Sequence, residues 1–237
     1  MRFIKSVFTA LFFLSISCPI ISQEGWTNLL GKNKTNNFHQ LNGEADFKIK
    51  GKKIIGISKL NTPNSFLATK KNYSDFILEF EVKIDTGLNS GVQIRSESNP
   101  EYMDGRVHGY QVEIETSPRK WAGGIYEEAR RGWLYPLTDN PKGQEAWING
   151  KWNRYRIEAI GHEIKTWVNG IPCANLLDDM TAEGFIAFQV HSIGKKEQEG
   201  KKVIWRNIKI KTEGLENEIK NDSNNAPVIN LIEKNKN

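Results

Sequence analysis

Short segments in which apolar and polar residues alternate recur along most of this chain, each bounded by turn residues. In the clearest of them, residues 76–84, every second residue from Leu78 onward is apolar and those between are charged. About nine such segments are present, and no long stretch has the periodicity of a helix. Since a strand with one apolar face must bury that face, the pattern predicts an all-β protein, an antiparallel two-sheet β-sandwich. The length of 237 residues favours a large jelly roll over an immunoglobulin-type domain.

The N-terminal residues have the composition of an export signal. Arg2 and Lys5 precede an apolar run over residues 7–16, which is too short to cross a bilayer as a helix. We therefore predict a signal peptide at residues 1–22 and an exported protein, periplasmic or extracellular. Cys18 offers the alternative of a lipid-anchored lipoprotein. The usual leucine three places before that cysteine is absent, so simple cleavage is the preferred prediction.

The rest of the chain divides into two parts. Residues 23–213 carry the strand pattern and form the predicted sandwich domain, whereas the Asn- and Lys-rich residues 214–237 are predicted to be a poorly ordered polar tail. The formal charge is +5, of which the leader contributes two, and the remaining +3 is too slight and scattered to predict nucleic-acid binding. Cys173 has no partner outside the leader and is predicted to be a buried thiol.

The densest group of polar and aromatic residues lies in the segment Gly105–Tyr135. Gln111, Glu113 and Glu115 alternate with apolar residues, so on a strand they share one face, with about 7 Å between neighbours. Such a face usually meets only solvent, but exposed aromatic residues follow here and are costly without a ligand. The charged and aromatic residues that follow include Arg119, Glu128, Arg130 and Tyr135, and those selected as candidates are Trp121, Tyr126, Glu127, Arg131 and Trp133. The group predicts a site for a sugar, in which paired carboxylates can act as acid and base.

Two further strands present polar pairs. Gln93 and Arg95 share a face, and Arg95 can orient hydroxyl groups or stabilise an oxyanion, although an ion pair with a neighbouring glutamate explains it equally well. Gln189 and His191 also share a face, and His191 can serve as a general base. No Cys/His spacing typical of a metal site is present, so a divalent metal ion has no support from a motif.

These residues carry a family likeness. The matching pieces are residues 25–31, 66–70, 73–76, 89–95, 109–115, 124–126, 151–157, 167–170, 184–191 and 205–208. In this order they make the chain resemble the 3-keto-disaccharide hydrolase family, over nearly all of the predicted exported part. One departure concerns the central strand, where many members read Tyr-Glu-x-Gln and this chain has Gln111 and Glu113 exchanged. The resemblance implies the concanavalin A-like lectin/glucanase sandwich.

The resemblance also implies an activity, the cleavage of 3-keto-glycosides by elimination and hydration. This route requires a base, a group that stabilises the enolate oxygen and an acid for the leaving group. The candidates are His191 or Glu113 as base, Arg95 or Arg131 (or a divalent metal ion) at the enolate, and Tyr126 or Glu127 as acid. The other predicted substrate contacts are Gln111, Glu115, Trp121, Trp133 and Gln189. We expect Glu113, Arg95, His191, Tyr126 and Arg131 to line one concave pocket.

Two other functions fit the same residues. One is a carbohydrate-binding, lectin-like domain without turnover, since sandwich folds host both binding and catalysis. The other is a conventional glycoside hydrolase that uses Glu113 and Glu115.

Overall fold

The computed structural model describes residues 25–31, 35–220 and 226–234, and the predicted leader lies outside these residues. Sixteen strands within the described residues form two sheets. In spatial order, sheet A contains β16 (Val228–Asn230), β13 (Ile171–Leu177), β12 (Glu163–Val168), β11 (Asn153–Ile160), β6 (Phe76–Ile84), β15 (Lys202–Lys211), β4 (Lys53–Ile57) and β3 (Asp46–Lys50), with β1 (Trp26–Asn28) beside β15. Sheet B contains β10 (Gly132–Tyr135), β9 (Ile125–Glu128), β8 (His108–Glu115), β7 (Asn89–Glu97), β14 (Gly184–Val190), β5 (Ser65–Tyr73) and β2 (Phe38–Asn42). The other described elements are two four-residue α-helices, α1 (Pro141–Gln144) and α2 (Leu231–Lys234), and short 3-10 helices.

The two sheets pack through the apolar sides of their strands. Alternate residues of β8, such as Val112, belong to the same buried cluster as alternate residues of β6, such as Phe80. Phe80 stacks on Tyr155 of β11 with 5.0 Å between ring centroids. The Tyr155 hydroxyl crosses to sheet B and donates to the backbone oxygen of Glu113 at 3.0 Å. The predicted all-β, two-sheet sandwich is therefore confirmed, and the polar side of β8 lies on the outer face of sheet B.

Some strands were not evident from alternation. β5 is buried on both faces over its first five residues. Its sequence there lacks the alternation of apolar and polar residues that marks a strand with one exposed face. There, Phe66 and Ala68 join a small cluster with Phe185 and Ala187.

An irregularity in β7 changes where the end of that strand points. The pairing between β7 and β8 shifts register between Ile94 and Glu97. Arg95 lies at this shift with a backbone φ of 45°, in the left-handed region that is uncommon for residues other than glycine. A bulge of this kind redirects the side chain, so Arg95 does not follow the alternation that Gln93 obeys.

Part of the predicted disordered tail has a defined position. β16 pairs in parallel with Asn175–Leu177 of β13. Ile229 and Leu231 pack against the main core. The Tyr135 hydroxyl donates to the backbone oxygen of Pro227 at 2.5 Å. Residues 226–234 therefore differ from the expectation of a poorly ordered tail, because their few apolar side chains find a place at the edge of sheet A.

The prediction that Cys173 is a buried thiol is confirmed. Cys173 is a buried free thiol, and burial raises its pKa to about 12, which suits a packing role rather than a nucleophile. Over the described parts of the chain, no helix has the length and apolar character needed to cross a membrane.

Candidate functional site

Four amide and acid side chains on the outer face of sheet B form one hydrogen-bonded row. Gln111 Oε1 accepts from Gln93 Nε2 and from Gln189 Nε2, both at 2.8 Å. The same residue donates through Nε2 to Glu113 Oε2 at 3.0 Å. A Cβ atom at Gly91 would lie 2.5 Å from the side chain of Gln111, so the glycine makes room for it. The predicted residues Gln111, Glu113 and Gln189 are thus brought together.

Glu113 is a buried carboxyl group with an unusual environment. Its Oε1 accepts from Asn89 Nδ2 at 2.5 Å and lies 3.5 Å from Arg119 Nη2. Burial, helped by the like charge of Glu115, raises the pKa of Glu113 to about 7, against the opposing effect of the Asn89 and Gln111 hydrogen bonds and of Arg119. A carboxyl group with such a pKa can give or take a proton near neutral pH.

Arg119 connects the carboxylates to a group of aromatic rings. It pairs with Glu115 through Nη2 at 2.6 Å and Nε at 3.2 Å. Its guanidinium lies 4.6 Å from the ring centroid of Trp121 and 4.7 Å from that of Trp133. Tyr126 meets Trp133 edge-on at 5.3 Å. We call Arg119, Trp121, Tyr126 and Trp133 the aromatic–arginine cluster, and it brings three of the predicted contacts next to Glu113.

His191 borders a cavity at one end of this face. The cavity measures about 480 Å³, and Asn89 and Glu115 also line it, so Asn89 links the cavity to Glu113. His191 Nδ1 lies 2.7 Å from the backbone oxygen of Ser192, which can only accept a hydrogen. Nδ1 therefore carries the hydrogen of the neutral ring, and Nε2 is its basic nitrogen.

A second cavity, of about 450 Å³, lies on the same face and was missed by the sequence analysis. The buried ring of Phe66 lines it together with Asn64, Arg106 and Glu128. Glu128 accepts from Arg106 Nη2 at 3.2 Å and from Asn64 Nδ2 at 3.4 Å. It also lies 3.4 Å from Gln189 Nε2, which joins this cavity to the glutamine row. One signal in the sequence could have found Glu128. It lies two residues after Tyr126, so on a strand the two side chains share one face.

Arg95 does not belong to this face, so the prediction that it lines a pocket with Glu113 is wrong. Its side chain is 1% exposed and lies between the turns of the two sheets. Nε donates to Ser74 O and Nη1 to Gly161 O, each at 2.7 Å, while Nη2 pairs with Asp75 at 3.0 Å. The bulge in β7 directs the guanidinium away from Glu113.

Glu127 and Arg131 also lie away from Glu113, so the prediction that Arg131 lines one pocket with Glu113 is wrong, and Glu127, a candidate acid, does not face that site. Glu127 pairs in register with Tyr110 and shares its inner side of the sheet. Arg131 binds Glu127 through Nε at 2.5 Å and Asp178 through Nη2 at 2.5 Å. The Tyr110 hydroxyl donates to Asp178 at 2.6 Å. Arg131 and this hydroxyl hold the pKa of Asp178 below its usual range, against the opposing effect of burial, which is the largest. The group is a buried structural network.

Among the described residues, no three His, Cys, Asp or Glu side chains converge in a way that could hold a metal ion. The functional groups on the outer face of sheet B are thus carboxyl, amide, imidazole, guanidinium and aromatic side chains.

Two packed antiparallel sheets with one polar, aromatic outer face define a galectin-like β-sandwich protein. The chain belongs to the family of 3-keto-alpha-glucoside-1,2-lyase-like domains, whose model matches residues 22–211. The resemblance noted in the sequence is therefore confirmed.

Solved structures support the same fold. The chain is similar to a candidate glycosyl hydrolase from Parabacteroides distasonis, at 18% identity and a TM-score of 0.56, over 80% of this chain and 94% of that one. It is similar to the carbohydrate-binding module CBM66 from Bacillus subtilis, at 16% identity and a TM-score of 0.51, over 74% and 95% of the two chains. A Bacillus subtilis protein with a galectin-like fold matches at 11% identity and a TM-score of 0.56, over 79% and 94%. No curated protein matches the chain significantly.

Proposed function

We propose that the outer face of sheet B binds a glycoside and that the protein cleaves 3-keto-glycosides by elimination followed by hydration. The observation that carries this proposal is Glu113, a buried carboxyl group whose pKa is raised to about 7 and which Asn89 connects to the cavity of His191. Membership of the 3-keto-alpha-glucoside-1,2-lyase-like family supports the choice of substrate. The aromatic–arginine cluster offers ring faces of the kind that cover the C–H side of a sugar.

The chemistry follows from the ketone. A carbonyl group at C3 acidifies the hydrogen on C2, and a base removes that proton to leave an enolate. Collapse of the enolate restores the ketone, forms a C1–C2 double bond and breaks the bond from C1 to the leaving oxygen, which takes up a proton. Addition of water across this double bond then gives the free 3-keto sugar, so that the net change is hydrolysis of the glycosidic bond.

The side chains on this face divide these tasks. His191 Nε2 or Glu113 is the base, because the first is the basic nitrogen of a neutral ring and the second ionises near pH 7. Arg119 replaces Arg95 and Arg131 as the guanidinium available to a developing enolate, since it lies beside Glu113. Tyr126 remains the acid for the leaving oxygen, whereas Glu127 lies on the inner side of the sheet.

The contacts of Glu115 argue against a conventional glycosidase. Its Oε1 accepts from the backbone nitrogen of Trp121 at 2.6 Å, and its Oε2 accepts from Ser117 at 2.9 Å and from Arg119 at 2.6 Å. A carboxylate held in this way is a poor nucleophile or proton donor. A binding domain without turnover remains the second candidate, which the aromatic–arginine cluster supports equally well.

The test offers the purified protein an ordinary glycoside and its 3-keto form in parallel. Cleavage of the keto form alone supports the proposal, cleavage of the ordinary glycoside would select the glycosidase, and binding without cleavage would select the lectin. Glu113→Gln and His191→Ala are expected to lower turnover about 100-fold or more, the usual range for lost acid–base help. His162→Ala, in an exposed turn, is the matched control and should keep full activity.

We further propose that the protein is exported. The support is the pair Arg2 and Lys5 ahead of the short apolar run. Mass spectrometry of the protein from its native host is expected to show a chain beginning near residue 23. A diacylglyceryl group on Cys18 would select the lipoprotein instead, and an intact Met1 would contradict export.

A further inference from the structure

We propose a second ligand site on the outer face of sheet A, which binds a small hydroxylated molecule through an oxyanion group, the carboxylate of a sugar acid or the phosphate of a sugar phosphate. A cavity of about 350 Å³ lies on this face. It is lined chiefly by Glu79, Arg154, Arg156, Trp167, Asn169 and Lys220. Sheet A and sheet B turn their outer faces in opposite directions, so the cavity is separate from the site that contains Glu113.

The walls of the cavity carry more cations than anions. Glu79 is buried and binds Arg156 at 2.7 Å, Arg154 at 2.8 Å and Lys209 at 3.2 Å. Arg156 is also buried and donates through Nε to Glu158 at 2.8 Å. With Lys220 included, four cationic groups surround two carboxylates. This excess of two positive charges favours an anionic ligand.

Trp167 supplies the observation that points to a ligand rather than to a closed ion-pair network. Its side chain is 1% exposed and its indole Nε1 has no hydrogen-bond partner. A buried N–H group without a partner is rare, because it loses its hydrogen bond to water and gains nothing in return. Trp167 pairs in register with Arg156 and both side chains line the cavity, so the indole N–H and the guanidinium belong to one wall. Both groups can only donate, which suits the oxygen atoms of a carboxylate or phosphate.

Two unpaired acceptors lie one row further along the same strands. Glu158 Oε2 and Asn175 Oδ1 are buried without a partner. Lys165 lies between them in the register of β11, β12 and β13. This row is about 7 Å from the row of Arg156 and Trp167, the distance between alternate residues of a strand. Glu158 also bonds Arg156 and the backbone of Lys220, two residues of the cavity wall, so its unpaired oxygen suits a hydroxyl group carried next to the oxyanion of the ligand.

The chain after β15 folds over this face and completes the wall. The backbone oxygen of Glu218 accepts from Arg156 Nη2, and the backbone nitrogen of Lys220 donates to Glu158 Oε1 at 3.1 Å. Lys220 Nζ lies 5.8 Å from the ring centroid of Trp167. These contacts place the Lys220 cation at the cavity and shield the buried charges from water, which strengthens their attraction for an anion.

Binding to the full-length protein is measured by isothermal titration calorimetry with four probes: glucuronate, glucose 6-phosphate, glucose and inorganic phosphate. We expect glucuronate or glucose 6-phosphate to bind, glucose not to bind, and the affinity to fall as salt is added. The two anionic sugars distinguish a carboxylate from a phosphate ligand. Inorganic phosphate that binds as tightly as both sugars would overturn the requirement for hydroxyls, and no binding of either anionic sugar would overturn the site.

Two variants and a control locate the binding. Trp167→Phe keeps an aromatic ring and removes the N–H donor, and Arg154→Gln removes a cation whose side chain is 64% exposed. Each should weaken binding about tenfold. Arg206→Gln, which removes an arginine stacked on Trp152 on the same sheet, is the control and should bind normally. Unchanged affinity in both cavity variants would overturn the proposal. Glu113→Gln should leave this binding unchanged, which separates its test from that of the proposed activity.

Discussion

Asn89 Nδ2 donates a hydrogen bond of 2.5 Å to Glu113 Oε1. This contact favours the ionised carboxylate, whereas burial favours the neutral acid, and burial is the larger effect. Since Asn89 also lines the cavity of His191, one amide both tunes the carboxyl group and borders the space in which a ligand can lie.

Asn89→Ala is expected to move the pH dependence of catalysis upward. Loss of a hydrogen bond to a charged group, worth about 1.5–3 kcal/mol, raises the pKa of Glu113 by roughly 1–2 units. The measurement is kcat/KM against pH on a 3-keto-glycoside. Asn72→Ala, an exposed asparagine on β5, is the control and should keep the original midpoint. An unchanged or lower midpoint in Asn89→Ala would contradict the assignment.

Glu113→Gln is expected to flatten the dependence of stability on pH. The folded pKa of about 7 lies above the ordinary value of 4.5, so the folded protein holds a proton that the unfolded chain has released. The associated stability is present below about pH 4.5 and is lost as pH rises to 7, by at most about 1.4 kcal/mol per pH unit. Urea unfolding at several pH values measures it. Parallel curves for the wild type and Glu113→Gln would show that Glu113 ionises normally.

Arg119→Lys is expected to lower kcat/KM about tenfold while the positive charge is retained. Lysine cannot form the paired contacts with Glu115 or lie flat between Trp121 and Trp133. The control is Arg206→Lys, because Arg206 stacks on Trp152 with its guanidinium 3.9 Å from the ring centroid but lies on sheet A. Equal effects of the two substitutions on activity would rule out a specific role for Arg119.

Arg95→Gln is expected to destabilise the protein without altering the chemistry. The substitution leaves the carbonyl groups of Ser74 and Gly161 without their donor, at a cost of about 0.5–1.5 kcal/mol each. Urea unfolding should show the loss, whereas kcat per folded molecule should remain within about twofold of the wild type. A large fall in kcat with unchanged stability would return Arg95 to the catalytic site.

Asp178→Asn is expected to lower stability at neutral pH by about 3–5 kcal/mol, since it breaks a buried pair with Arg131. In the wild type, the lowered pKa of Asp178 means that its contribution is present above the unfolded pKa of about 4 and is lost as pH falls through the folded value. Thermal unfolding across acidic pH is the measurement. The variant should lose less stability on acidification than the wild type, and an equal loss would contradict the role of the pair.

The sheet framework was predictable because, in a strand with one polar side, the alternation of apolar and polar residues shows which side chains face the core. Phe76–Ile84 shows this directly, and its predicted bounds are those of β6. β5 was not predictable in the same way, because burial of both faces removes the alternation. The position of residues 226–234 depends on a parallel pairing with a distant strand, for which local sequence gives no signal.

The site was predicted in part for the same reason. Gln111, Glu113 and Gln189 follow regular alternation and do meet on one face. The prediction for Arg95 was wrong because a bulge and a positive φ interrupt that alternation. Glu127 was placed beside Tyr126, although adjacent residues of a strand point to opposite sides. Arg119 was not selected because it lies in a loop, where spacing does not determine direction.

The parallel pairing of β16 has a consequence for the behaviour of the protein in solution. Without β16, the outer side of β13 would present a row of backbone N–H and C=O groups that a strand from another molecule can bind. β16 occupies Asn175–Leu177 of that edge. By covering this edge of sheet A, β16 reduces the tendency of the protein to aggregate through strand pairing.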